Sequence, residues 1–260
     1  MTKVSEIKFP RTRIATFDVG AISRKRHSVA ALIEVDVTEA RKNIRKARQE
    51  GAPISFTAWL MKTIATAIKA YPEVAAILKG KRKLLIFEDV NVSIVVEKEI
   101  KGKAVPIPLV IRETDKKSAA DITGEIKAAK NKEMSDKDMV LHKKSKRLEK
   151  LYYFLPGFLR RLVWRFILNH PKLAYKQMGN VVLTSIGMMG NINGWFIQTS
   201  VHPISFGIST ITKKPRVVKD EIVPREVLNM TVLMDHDVVD GGPMARFISY
   251  LSKIVEKGEV

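Results

Sequence analysis

Apolar and polar positions alternate between two periods along the chain. Residues 28–37 (SVAALIEVDV) form a run of β-branched and apolar side chains and predict a strand. Thr38 follows as a predicted cap for a Lys- and Arg-rich helix that Gly51 closes. In 55–70 (SFTAWLMKTIATAIKA), Leu60, Ile64 and Ile68 recur every four residues, which predicts an amphipathic or largely buried helix stopped at Pro72. Strands are predicted over 90–96 and 105–111, on either side of a turn at Lys101 and Gly102, and a helix over 117–131. A short buried strand follows at 181–184, then a loop set by Gly187, Gly190 and Gly194. Three strands are predicted over 205–212, 215–219 and 226–234, with a turn around Asp220 and Pro224, before a helix over 243–255. Helix and strand are mixed from end to end and no internal repeat is present, which points to a layered α/β sandwich formed by one domain over residues 1–260.

Composition narrows the chemistry. The 260 residues suffice to bury a sizeable core, and 45% hydrophobic with 28% charged residues is ordinary for a globular fold. With no cysteine there is no disulfide framework, thiolate metal site or Cys nucleophile, so any metal site would need His and carboxylates, and none is predicted. Lys and Arg number 46 against 27 acidic residues, a net charge of +19 that attracts anions of several kinds. The N-terminal stretch lacks a signal-peptide core and no stretch reaches spanning length, so a cytoplasmic location is expected. No helix-turn-helix, zinc-finger or RNA-recognition pattern appears, which makes nucleic acid an unlikely partner.

The most informative histidine is His236, in MDHDVVDGGPMARF at the predicted end of a strand. Strand-end loops are where rigid scaffolds present reactive groups, and an imidazole can take a proton near neutral pH. Asp240 lies four residues on and is followed by Gly241 and Gly242. The spacing His236-x-x-x-Asp240-Gly241 resembles the signature of the chloramphenicol acetyltransferase and dihydrolipoyl acyltransferase superfamily. The blocks 33–46 (IEVDVTEARKNIRK), 54–74 (ISFTAWLMKTIATAIKAYPEV) and 108–126 (PLVIRETDKKSAADITGEI) resemble successive parts of the acyltransferase catalytic domain of 2-oxoacid dehydrogenase complexes, in the same order.

That resemblance implies a chloramphenicol acetyltransferase-like two-layer sandwich with a mixed sheet, assembled as a trimer with active sites between subunits. It implies transfer of an acyl group between thiols, with coenzyme A or acyl-CoA as substrate. His236 takes the place of the family's general base, and Asp240 that of the acid supporting its loop. Thr184, in VLTSIG, takes the place of the hydroxyl that stabilises the tetrahedral oxyanion, with Ser185 beside it. RTRIATF resembles the family's Arg-x-x-Ile-Ala block, which makes Arg11 the candidate ion-pair partner of Asp240, ahead of Arg13; His27 falls where the family has a Pro-His pair.

Three features depart from the family. The residue after the motif His is Asp237 where the family has Arg, so a carboxylate flanks His236 on each side; two such neighbours favour the imidazolium and predict a rate that rises through a His titration. No lipoyl domain, subunit-binding domain or Ala/Pro linker precedes the catalytic block, so no lipoyl group is expected on this chain, and the acyl group is expected from acyl-CoA, a separate carrier or another chain's lipoyl domain. Residues 141–177 form a basic, aromatic insertion. At 100° per residue, Phe158, Leu159, Leu162, Val163, Phe166 and Ile167 fall on one half of a helix and Arg160, Arg161 and Arg165 on the other. Such a helix suits an arm packed on a neighbouring subunit, a lid over an acyl chain, or an anionic membrane surface contacted through 151–168. The alternative to catalysis is an assembly or binding subunit that keeps the acyltransferase fold.

Overall fold

The structure is a computed structural model that describes residues 2, 4–7, 9, 13–80, 82–100, 103–131, 152–187, 190 and 192–259. Six strands form one mixed sheet in the order β1-β8-β7-β6-β4-β5, from β1 (Ser28–Asp36), β4 (Val92–Ile100), β5 (Lys103–Ile111), β6 (Val181–Ser185), β7 (Ile204–Val218) and β8 (Glu221–Asp235). Strand β6 runs parallel to both its neighbours, and the remaining pairs are antiparallel. A small hairpin of β2 (Ile77–Lys79) and β3 (Lys83–Leu85), which the apolar pattern does not predict, stands apart.

Period-two alternation assigns the two faces of the sheet. Val92 and Ile94, Val181 and Leu183, Ile204 and Phe206, and Met230, Val232 and Met234 all enter the core. Helices α2 (Thr38–Gln49), α3 (Phe56–Ala70), α4 (Ala119–Asn131) and α7 (Gly241–Lys257) cover that face. Helix α3 is its centre: Trp59, Leu60, Met61, Ile64 and Ile68 are buried, and the Ser55 hydroxyl caps its start by accepting from the Ala58 N–H. Across the opposite face runs the segment 192–203. Trp195 donates its indole N–H to the Ile33 carbonyl and Gln198 donates to Ser205, and the chain lies so close over β7 that a Cβ at Gly207 would collide with Gln198.

Three local expectations are corrected. Thr38 is the first helical residue and not the cap: the Asp36 carboxylate accepts the Thr38 N–H, while the Thr38 hydroxyl accepts from the Glu226 N–H. Strand β7 continues unbroken through Pro215, with a register shift between Ile208 and Ile211. The turn is at Lys219 and Asp220, both in left-handed conformation, and Pro224 lies within β8 facing Pro215. A two-residue turn makes Val218 and Glu221 a hydrogen-bonded pair, so counting back along the hairpin makes the Pro215 and Pro224 pair non-hydrogen-bonded, where neither ring removes a needed donor.

Within 141–178 the chain forms two helices, α5 (Gly157–Asn169) and α6 (Pro171–Met178), separated where Pro171 opens the second; residues 141–151 lie outside the described residues. Helix α5 rests on α1 (Ile14–Ser23), an N-terminal helix that the sequence pattern does not predict. Their contact is polar. The buried Asp18 carboxylate accepts from Arg160 Nε at 2.7 Å and from the Tyr152 hydroxyl at 2.8 Å, and Trp164 donates its indole N–H to the same hydroxyl at 2.9 Å. Burial and the Asp18 carboxylate push Tyr152 up to about 12.

Candidate active site

Strand β8 ends at Asp235, and His236 is the first residue beyond it. Five interactions hold that corner. The Asp235 N–H donates to the Pro203 carbonyl at 2.9 Å and the His236 N–H to the His27 carbonyl at 2.7 Å, so the loop is bonded both to the segment crossing the sheet and to the start of β1. The Asp235 carboxylate is buried. One oxygen accepts from Arg26 Nη1 at 2.8 Å and the other from the Asp237 N–H at 3.1 Å. Burial raises the Asp235 carboxyl above the ordinary carboxylate range, against the pull of the Arg26 guanidinium. On the outer side, His27 Nδ1 and Asp237 Oδ1 lie 2.9 Å apart, and the bond to Asp237 raises the His27 imidazole.

Both acids flanking His236 are therefore engaged elsewhere, Asp235 by Arg26 and Asp237 by His27. Neither carboxylate is hydrogen-bonded to the His236 ring. Among the described residues no side chain hydrogen-bonds to that ring, which is exposed on the braced corner. Asp240 occupies the N-cap position of α7, its main-chain carbonyl accepting from the Met244 N–H, without a side-chain cap bond. Its carboxylate sits at the positive end of that helix, and Gly241 and Gly242 begin the first turn. Arg11 lies outside the described residues, so the Arg11–Asp240 pair does too. Arg13 stands over the Phe9 ring at 5.7 Å.

Below the corner is His202, half-buried, its imidazole lowered to about 4 by burial. It is neutral, its Nε2 lies 3.1 Å from the Met178 carbonyl, and only a protonated nitrogen can bond there. The Ser200 hydroxyl lies 3.3 Å from its other nitrogen and also accepts the His202 N–H, so the ring staples the end of α6 beneath Pro203.

Thr184 and Ser185 close β6 on opposite faces. Val181 and Leu183 enter the core, which puts Ser185 on the helical face and Thr184 on the other. Thr184 is level with Gly207 on β7, and Gly207 with Thr231 on β8. His236 lies five residues beyond Thr231, so at roughly 3.3 Å per residue and 4.8 Å per strand the backbone positions of Thr184 and His236 in one chain stand about 19 Å apart. One chain does not bring them together. Among the described residues no three His, Asp or Glu side chains converge as metal ligands.

Arg26 and His202 are the participants that sequence reasoning missed. Asp235 and Asp237 touch His236 in sequence and were legible as its neighbours, but the partners they bond come from 209 and 210 residues away. The adjacency of Arg26 to His27, just before a predicted strand, was the available signal for the first.

A mixed six-stranded sheet, helices on one face and a braced histidine at a strand end define the chloramphenicol acetyltransferase-like class of fold. A chloramphenicol acetyltransferase structure superposes over 99% of both chains with a TM-score of 0.52 at 11% identity. The likeness to a structure of a probable dihydrolipoamide acetyltransferase from Listeria monocytogenes 4b F2365 is greater, with a TM-score of 0.68 at 20% identity over 98% of this chain and 96% of that one. The family model described as 2-oxoacid dehydrogenases acyltransferase (catalytic domain) matches residues 10–140 and 169–260, and the chain belongs to that family. Among curated relatives, the lipoamide acyltransferase component of the branched-chain alpha-keto acid dehydrogenase complex of Bacillus subtilis (strain 168) is 24% identical over 235 residues, 86% of this chain and 46% of the relative. The chain thus spans about half the length of that relative or less.

Proposed function

We propose that the chain is a coenzyme A-dependent acyltransferase that moves an acyl group between thiols, with His236 as general base. The observation that carries this reading is the state of the His236 corner: its backbone and both neighbouring carboxylates are tied down, while its imidazole is exposed and free of side-chain partners. A ring held in this way is positioned and available. In the reaction, the imidazole removes the proton of the attacking thiol and the thiolate adds to the thioester carbonyl, giving a tetrahedral oxyanion. Collapse breaks the original carbon–sulfur bond, and the departing thiolate recovers the proton from the imidazolium.

The oxyanion needs a donor, and the Thr184 hydroxyl is the proposed one. The roughly 19 Å between Thr184 and His236 within a chain supports a site made across two protomers, as in a trimer. Thr184 has a hydroxyl without an internal hydrogen-bond partner among the described residues, so it is free to donate to a neighbour's substrate. Lipoyl-type dithiols on a separate carrier are the proposed second thiol. Coenzyme A phosphates are drawn by the net charge of +19.

The test is acyl transfer from acetyl-CoA to dihydrolipoamide or to a separate lipoyl domain, followed by thiol release. His236→Ala is expected to lower kcat by a factor of about 10²–10⁴, and Thr184→Ala by about 10² with little change in KM. Both variants should keep the wild-type sedimentation coefficient. Full turnover by His236→Ala overturns the assignment of the base. Absence of turnover by the wild-type chain with acetyl-, propionyl-, succinyl- and branched-chain acyl-CoA favours the assembly-subunit alternative.

A further inference from the structure

Helix α5 lies, but for its last residue, in the stretch between the two parts of the chain that match the family. Its inner side is fixed by Arg160 on Asp18 and by Trp164 on Tyr152. Those contacts set the rotation of the helix: Arg160 faces inward, whereas the apolar positions four apart face out. Phe158, Leu162 and Phe166 form one row, exposed by 59%, 53% and 58%. Arg161 and Arg165 border that row, both exposed, and α5 has no acidic residue and no buried one.

The sequence that carries this row is strongly basic. Residues 141–178 contain ten Lys and Arg against one acid, Glu149, so nine of the nineteen net positive charges lie in this stretch. A second copy of the same face is a poor occupant: a two-fold contact would set Arg161 and Arg165 against their own copies with no acid on the helix to meet them. An anionic lipid surface answers both features. The Phe158, Leu162 and Phe166 row enters the boundary between headgroups and acyl chains, while the arginines keep their guanidinium groups among the phosphates.

We propose that α5 is a docking helix that seats the protein on an anionic bilayer, lying in the plane of the surface. Among the described residues no helix is long and apolar enough to cross a membrane, so the contact is peripheral. It is independent of the acyl-transfer reading, since α5 contributes nothing to the His236 corner.

The experiment is co-sedimentation of the full chain with vesicles of phosphatidylcholine alone and with about one-third phosphatidylglycerol, alongside Phe158→Ser/Leu162→Ser/Phe166→Ser, which keeps every charge. Wild-type protein is expected on the anionic vesicles at least about tenfold more tightly than on the neutral ones, and the triple variant to lose about tenfold of that binding. Sedimentation velocity of the two proteins without lipid should agree. Three results overturn the proposal. The wild type fails to bind anionic vesicles; or the variant binds as tightly as wild type, which assigns the affinity to general charge; or the variant changes the size of the assembly, which makes the row a protein contact.

Discussion

Replacing Arg26 with Met tests whether the His236 corner is held as described. The substitution keeps an unbranched apolar stem of similar reach and deletes the cation beside the buried Asp235 carboxylate. Exposed ion pairs contribute about 0–1 kcal/mol, and removing one partner of a fully buried pair costs about 3–5 kcal/mol. The side chains of Arg26 and Asp235 are 20% and 9% exposed, which places this pair between the two cases but nearer the buried one, at about 2–3 kcal/mol. The pH dependence has a definite sign. Asp235 is an acid whose folded-state pKa is already raised, so its ionised form is disfavoured by folding above that pKa, and loss of Arg26 raises it further. The cost of Arg26→Met is therefore full at about pH 7.5 and falls as the pH is lowered and Asp235 takes up a proton. Urea unfolding at equal protein concentration, at about pH 7.5 and pH 5, measures both quantities. Arg26→Met/Asp235→Asn should recover at least half of the loss, because the Asn oxygen still accepts the Asp237 N–H and no buried charge is left unpaired. A cost below about 0.5 kcal/mol, or one equal at the two pH values, would refute the reasoning.

Two further outcomes follow from the same corner and from the strand that carries Thr184. Asp237→Asn removes the bond that raises His27, so the His27 titration, followed by the NMR shift of its ring protons, should move down; the pair's contribution is complete below the ordinary His value of 6.5 and is lost as pH rises through the raised one. An unmoved titration means that the two side chains do not meet in solution. Gly179 has a positive φ of 75° where α6 turns into β6, and a Cβ there would run into the Asn91 carbonyl. Gly179→Ala should cost about 1–3 kcal/mol in urea unfolding, from the strained conformation and the backbone that must shift, and a change within about 0.5 kcal/mol would remove the close approach.

The sheet was legible wherever side-chain period alone determined the outcome. Residues 28–37, 181–184 and 226–234 alternate or run apolar because each strand has one face in the core, and the structure keeps them as β1, β6 and part of β8. Proline misled the reading of β7, since its usual exclusion from strands holds for hydrogen-bonded positions and Pro215 and Pro224 face each other at a position of the other kind. Helix α1 has too weak an apolar periodicity to stand out, and its one buried residue is Asp18. The rotation of α5 was hidden for a related reason: a helical wheel separates the apolar and basic sides but does not say which side meets the protein, and here a buried acid on α1 draws Arg160 in and leaves Phe158, Leu162 and Phe166 outward.

At the site, the motif located His236 but not what holds it. Spacing identifies groups that lie close along the chain, whereas Arg26 and His27 reach the corner because β1 pairs with β8 in a register that sets Ser28 opposite Asp235. The braces and the reactive group are thereby different residues, and the two kinds of loss separate. The exposed His236 ring makes no side-chain bond, so His236→Ala should remove turnover and leave the unfolding free energy within about 0.5 kcal/mol of wild type. Arg26 touches no reacting atom in the proposed chemistry, so Arg26→Met should lose stability in full and turnover only to the extent that the corner moves. If His236→Ala proved as destabilising as Arg26→Met, the imidazole would be part of the scaffold, and the view of it as a free base on a braced corner would fail.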